Sequence, residues 1–230
     1  MEERKGSIAN EGLLDLTWAK TADDLKGITS ITNVGAVKVP EELMGAFSAI
    51  PRSNVGAVFS VKPGNWKTLT GPMRVSGDML AGGDPETMLM VTGQLLVTPP
   101  LASIGYKEIS VMGQLILPRG SEAVIAGKLG TVMGQLCYYN ADKGEPRQFS
   151  FNETVGRELL EMLEPTTWIV MGNLTIEDDV TPELMRAKVP EIVLIGNIDA
   201  PRSLKTVLQL LTSLKMGEIS IRDEKAPEEG

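Results

Sequence analysis

Three stretches of the sequence hold side chains that could do chemistry. Gly127-Lys128-Leu129-Gly130-Thr131 has the glycines and the lysine of a phosphate-cradling loop. Such a loop needs Gly, four residues, then Gly-Lys-Ser/Thr, so that a hydroxyl follows the lysine. Here six residues separate Gly120 from Gly127 and a leucine follows Lys128, which makes the stretch a turn entering a strand. Glu177-Asp178-Asp179 offers carboxylate oxygens, but a hard cation takes six or more from a shaped loop. No such spacing follows, and the run reads as a solvated turn. Cys137, the single cysteine, needs an activating partner to act as a nucleophile. The chain has no histidine, which removes histidine triads, histidine bases and histidine–zinc sites together. The expectation is a non-enzyme with no catalytic residue, no metal and no cofactor.

The chemistry that remains is recognition, and it comes from repetition. Val111-Met112-Gly113-Gln114-Leu115 returns as Val132-Met133-Gly134-Gln135-Leu136, 21 residues on. Glycines in similar surroundings recur at Gly35, Gly56, Gly77, Gly93, Gly113, Gly134, Gly172, Gly196 and Gly217. Side chains alternate between the faces of a strand. Residues two before and two after each glycine, such as Val111 and Leu115, are therefore assigned to a core face. Residues one before and one after form two rows on the other face. Gln94, Gln114, Gln135, Asn173 and Asn197 would stack there as an amide ladder, each amide donating and accepting. Met112, Met133, Met171 and Met216 run beside them. If that face is open it is an apolar strip suited to adaptable partners. The expected contact strip is Met112, Gln114, Met133, Gln135, Met171 and Asn173.

A unit repeated at fixed spacing is the signature of a solenoid. The strands must be parallel, and the segments between them carry helical patterns. Pro40-Glu41-Glu42-Leu43 and Thr181-Pro182-Glu183-Leu184 both read as helix starts, with proline in the first turn, acids near the N-terminus and Thr181 as a cap. Helices are expected at Glu41–Ala49, Glu153–Leu163 (capped by Asn152), Pro182–Lys188 and Ser203–Leu214. The expected organisation is a polar, frayed tail over 1–11 and one solenoid over 12–221. That solenoid is an α/β array of about ten strand–helix repeats of 20–24 residues on a parallel sheet. Residues 12–30 form its N-terminal capping repeat, residues 201–221 its closing repeat, and 222–230 an acidic disordered tail.

Composition narrows the partners. Net charge is −8 with no basic stripe, which disfavours nucleic acid and anionic membrane. No apolar run approaches the roughly 20 residues that span a bilayer. A lone cysteine and a polar start, Met1-Glu2-Glu3-Arg4-Lys5, lead to the expectation of a cytoplasmic chain. In that compartment the sequons Asn152-Glu153-Thr154 and Asn173-Leu174-Thr175 stay unmodified.

The repeat running from Ile31 through Val39, Pro40-Glu41-Glu42-Leu43 and on to Ile50 resembles a leucine-rich repeat in its strand, turn, helix start and closing apolar residues. The resemblance implies a curved right-handed solenoid that binds protein ligands on its strand side. A glycine stands mid-strand where that family has its leucine frame. Arg74-Val75-Ser76-Gly77-Asp78-Met79 and Met90-Val91-Thr92-Gly93-Gln94-Leu95 also resemble the strands of bactofilin-type β-helices, which implies self-assembly into polymers. The helical segments favour the strand–helix reading. The expected function is thus a non-enzymatic repeat scaffold that binds a protein partner or itself through its sheet face, with a self-assembling structural protein as the alternative.

Overall fold

In the computed structural model of the chain, residues 6–223 are described. The first part holds β1 (Gly6–Asp15), α1 (Ala22–Leu25), β2 (Ile28–Pro40), α2 (Met44–Ser48) and β3 (Arg52–Val61). Then come β4 (Asn65–Ser76), α3 (Gly77–Ala81), β5 (Thr87–Thr98), β6 (Glu108–Pro118), α4 (Glu122–Ala126) and β7 (Leu129–Tyr139). The last part holds β8 (Arg147–Phe149), β9 (Asn152–Val155), α5 (Arg157–Met162), β10 (Trp168–Val170), β11 (Asn173–Ile176) and α6 (Pro182–Lys188). It ends with β12 (Ile192–Leu194), β13 (Asn197–Pro201), α7 (Lys205–Leu211), β14 (Thr212–Lys215) and β15 (Glu218–Arg222). The chain is α/β with parallel strands, and among the described residues no helix exceeds seven residues. None is long and apolar enough to cross a membrane.

The chain divides into two compact units between Asn65 and Trp66, where the sequence suggests one body over 12–221. The first holds one sheet, ordered β1-β2-β3. The second holds a sheet ordered β4-β5-β6-β7 and two more, β8-β10-β12-β14 and β9-β11-β13-β15. Pairing follows the repeat. Val111, Met112, Gly113, Gln114 and Leu115 lie opposite Val132, Met133, Gly134, Gln135 and Leu136. The same β6 residues face Val91, Thr92, Gly93, Gln94 and Leu95 of β5 on the other side.

Glycine in this column is a steric requirement. A Cβ on Gly35 would stand 2.6 Å from the carbonyl oxygen of Gly12, and one on Gly56 2.5 Å from that of Gly35. At Gly113, Gly134, Gly196 and Gly217 the collision with the preceding level's carbonyl is closer still. Gly113 and Gly134 also have φ of +130° and +148°, where side-chain-bearing residues are strained. The bend at this position ends the strand outright in the last two sheets, so β10 and β11, or β12 and β13, are two halves of one level.

Each level feeds inward-pointing aliphatic residues into a layered core. In the first unit these include Leu14, Ile31 and Val37, closed by Leu25 and the aromatic Phe47 from the helices. Around β5 and β6 they are Val91, Leu95, Val111 and Leu115, closed by Leu80 and Ile125 from the helices. In the last two sheets Trp168 meets Phe149 edge-on at 5.0 Å, with Met185, Leu160 and Leu208 behind. The short helices are held by local chemistry. The Thr181 hydroxyl accepts from the Leu184 N–H at 3.2 Å. Asp24 accepts from the N–H groups of Lys20 and Thr21, both at 2.8 Å, which holds its carboxyl below its usual range.

Several boundaries differ from the sequence reading. Residues 6–11 belong to β1 and are no tail: Ile8 is buried opposite Ile31, and Ser7 and Ser30 share a 2.7 Å hydroxyl bond. Gly77 is not a column glycine. It opens α3, capped by Ser76, and its bare Cα is pressed against Pro100 and Leu101. Gly71 holds the column position beneath Gly93. Asn152–Val155 is strand, with Val155 in the core, so the helix starts only at Arg157. The closing helix stops at Leu211, and Thr212–Lys215 pairs with β12. Arg222 ends β15, bonded to Asp199 at 2.7 Å and Asp178 at 3.1 Å; the rest of the expected acidic tail, 224–230, lies outside the described residues, as do 1–5.

Replacing Gly113 with alanine adds both a left-handed side chain and a backbone collision. Urea denaturation should show a loss of about 3 kcal/mol. Gly127→Ala, at an open position with φ of −74°, should stay within about 0.5 kcal/mol of the parent.

Candidate binding surface

The six residues of the expected strip do not share one sheet. Met112, Gln114, Met133 and Gln135 lie on β6 and β7. Met171 sits at the bend between β10 and β11, and Asn173 opens β11. Exposure separates them further: Met112 is 8 % exposed and Met133 36 %. Met171 packs with Ile195 and Leu214 against a cluster made of Leu96, Ile116, Cys137, Tyr139, Ile169 and Val193. In the second unit, then, the outward faces of two sheets cover each other, and part of the face taken for a surface is an interior. A sequence signal for this exists. Leu95-Leu96-Val97, Leu115-Ile116-Leu117, Trp168-Ile169-Val170 and Ile192-Val193-Leu194 are unbroken apolar runs, as expected of parallel strands buried on both faces.

Polar groups finish this junction. The Tyr139 hydroxyl donates to the Val97 carbonyl at 2.9 Å. Glu191, buried, accepts from Arg119 at 3.0 Å and from the Asn140 N–H. Thr167 donates to the Asn140 carbonyl at 2.7 Å. Each of these polar groups is held by a partner within the chain. Burial pushes the Cys137 thiol up, away from the thiolate a nucleophile needs.

The amides form separate ladders. The Gln94 amide donates to Gln114 at 2.7 Å, while the Gln135 amide is in register but makes no side-chain bond among the described residues. Asn173 donates to Asn152 at 2.8 Å, and Asn197 to Asn173 at 2.9 Å. A third ladder escaped the sequence reading. Asn33 donates to Asn10 at 3.2 Å and Asn54 to Asn33 at 2.8 Å, all three with φ between +52° and +62°. These left-handed residues shift the alternation of side chains, so Asn33 and Asn54 point out and Val34 and Val55 join the core, the reverse of the sequence assignment. The triple Asn-x-Gly at Asn10, Asn33 and Asn54 is the pattern that would have revealed it.

The other suggestive stretches are held structurally. Lys128 donates to the Tyr106 carbonyl at 2.9 Å. Asp179 accepts from the Arg157 N–H at 3.1 Å, and Asp178 pairs with Arg222. Among the described residues no group of three or more His, Cys, Asp or Glu side chains is placed to hold a metal ion.

One open end in the second unit is the β7 end of its first sheet. In β6, Val111, Leu115 and Leu117 are buried; in β7 their register partners Val132, Leu136 and Tyr138 are half-exposed, and Thr131, Met133 and Gly134 are exposed. β7 is the last strand of its sheet, so one edge of its backbone is unpaired within that sheet. Comparison of the chain with protein-family models, with curated proteins and with solved structures finds no match.

Burial raises the Tyr139 phenol well above its ordinary value near 10. The neutral phenol therefore stabilises the fold fully below about pH 10, and that contribution is lost as pH rises further, because the unfolded chain gives up its proton first. Alkaline unfolding followed by circular dichroism should steepen above about pH 10. Tyr139→Phe should flatten that slope while costing about 1 kcal/mol at neutral pH, the worth of the bond to Val97.

Proposed function

We propose that the chain is a non-enzymatic scaffold of strand–helix repeats, solenoid-like in each unit, that works by binding protein. The supporting observation is the β7 end. A core that is sealed at β5 and β6 runs out there into half-exposed Val132, Leu136 and Tyr138, beside Met133 and an unpaired strand edge. An exposed edge with apolar neighbours is a template for strand addition, in which backbone bonds give affinity and alternate side chains give selectivity. Met133 and Gln135 are the members of the expected strip that belong to this surface. Met112 and Met171 act as packing residues, and Gln114 and Asn173 as ladder residues. The burial of Cys137 and the structural bonding of Glu191, Lys128 and the acidic turn favour a scaffold over an enzyme. A cytoplasmic setting fits the lone thiol.

The alternative, a structural protein that polymerises, is favoured by one observation in the first unit: among the described residues its Asn ladder has an unmatched amide donor at one end and an unmatched acceptor at the other.

The β7 assignment is tested by affinity capture with the full chain against Met133→Lys/Gln135→Lys, with circular dichroism verifying that both are folded. Proteins held by the parent should be lost from the double variant, since two lysines on the edge disfavour strand pairing. An identical captured set would sink the assignment.

A further inference from the structure

The first unit carries a glycine that its own stacking does not explain. Gly12 begins the glycine column, and nothing among the described residues requires it to be glycine. A Cβ there meets no atom of the described residues within 4 Å, and its backbone is outside the left-handed region. A first level has no inherent need for glycine: in the last stack that position, beneath Gly172, is held by Phe151, whose side chain is 75 % exposed. Gly71, which starts the β4 stack, is accounted for by its own φ of +93°. Gly12 has neither reason. It has the form needed only by a level that rests on another level's carbonyl.

The ladder beside it agrees. Each asparagine donates to the one before it, so Asn33 bonds Asn10 and Asn54 bonds Asn33. Asn10 keeps its own NH2 without an acceptor, and Asn54 keeps its Oδ1 without a donor, among the described residues. Both are exposed, as are Arg52, Ser53 and Gly56 on β3. The donor end and the acceptor end carry the same Asn-x-Gly motif, which neither stack of the second unit has.

We infer that the first unit joins a second copy of this chain head to tail, with β1 of one copy laid parallel on β3 of the next. The reading rests on the chain being an interaction scaffold, and it names the occupant of one end. The β1–β2 and β2–β3 registers extend directly to the seam. Asn10 then donates to Asn54 of the next copy, and Gly12 lies over the Gly56 carbonyl. Leu14 continues the inward column of Val37 and Val58. Ile8 falls opposite Arg52, whose guanidinium lies 4.4 Å over the Phe47 ring and so leaves its stem to be covered. The two surfaces differ, so the contact is heterologous and generates open chains or rings.

The test is light scattering coupled to size exclusion over a concentration series of the full chain. The parent should grow in mass with concentration. Gly12→Val should remain folded, because its site is open, and should stay monomeric where the parent is oligomeric. Gly12→Val also keeps an intact β3 end, so adding it to the parent should cap and shorten the oligomers. Asn10→Gly, which keeps the left-handed backbone but removes the amide, should weaken assembly as well. Gly45→Ala, at another open glycine of the same unit, should assemble like the parent. Met133→Lys/Gln135→Lys should also assemble like the parent, which separates this seam from the β7 surface. A parent monomeric throughout, a Gly12→Val or Asn10→Gly chain that assembles like the parent, or assembly lost on changing Met133 and Gln135 would each overturn the inference.

Discussion

The contact on which the structure depends is between backbone and backbone. At one position in each level after the first of its stack, a Cα sits close over the carbonyl oxygen of the level before, with no space for a Cβ. That contact fixes the stacking more tightly than any side chain could. A one-residue slip would carry a side chain into the carbonyl and would also turn each apolar residue to the wrong face. The repeated Val-Met-Gly-Gln-Leu pairs with itself in perfect register because the glycine allows no other.

The amide ladders follow from it. Once glycines are stacked, the residues beside them are stacked too, at a spacing of about 4.8 Å, which suits amide-to-amide bonding. The two units meet this opportunity differently. The first places a left-handed asparagine two residues before the glycine; the second places glutamine or asparagine one after it. Both leave the valine and leucine columns to form the core, although in the first unit the left-handed residue moves the valine from one row to the other. Identical spacing therefore does not mean identical side-chain placement.

Spacing made much of this legible. The parallel strands, the register of β5, β6 and β7, and the helix at Pro182–Lys188 with its Thr181 cap all follow from residue pattern. What spacing could not supply was the identity of the glycine that matters. Gly77 fits the pattern as well as Gly71 does, but Gly77 is small because Pro100 and Leu101 crowd it. Likewise Met171 and Met133 occupy equivalent positions, and only the approach of a second sheet half-buries one and leaves the other at an edge. Burial is decided by what arrives from elsewhere in the chain, and a local periodicity does not contain that information. The unbroken apolar runs around Ile116 and Ile169 do contain part of it, because a strand with one wet face would alternate.

The glycine column also sets how such a chain can change in length. A level interacts with the level before and the level after, so its stability is nearly a nearest-neighbour property. Removing the 21 residues from Gly113 up to Gly134 would bring Gly134 over Gly93, with the same Val, Met, Gln and Leu around it. Losing a single residue from β6 would instead misplace every side chain on one side of the cut. Descendants of this sequence can thus gain or lose whole floors but not single steps, and their lengths should differ by about one period at a time.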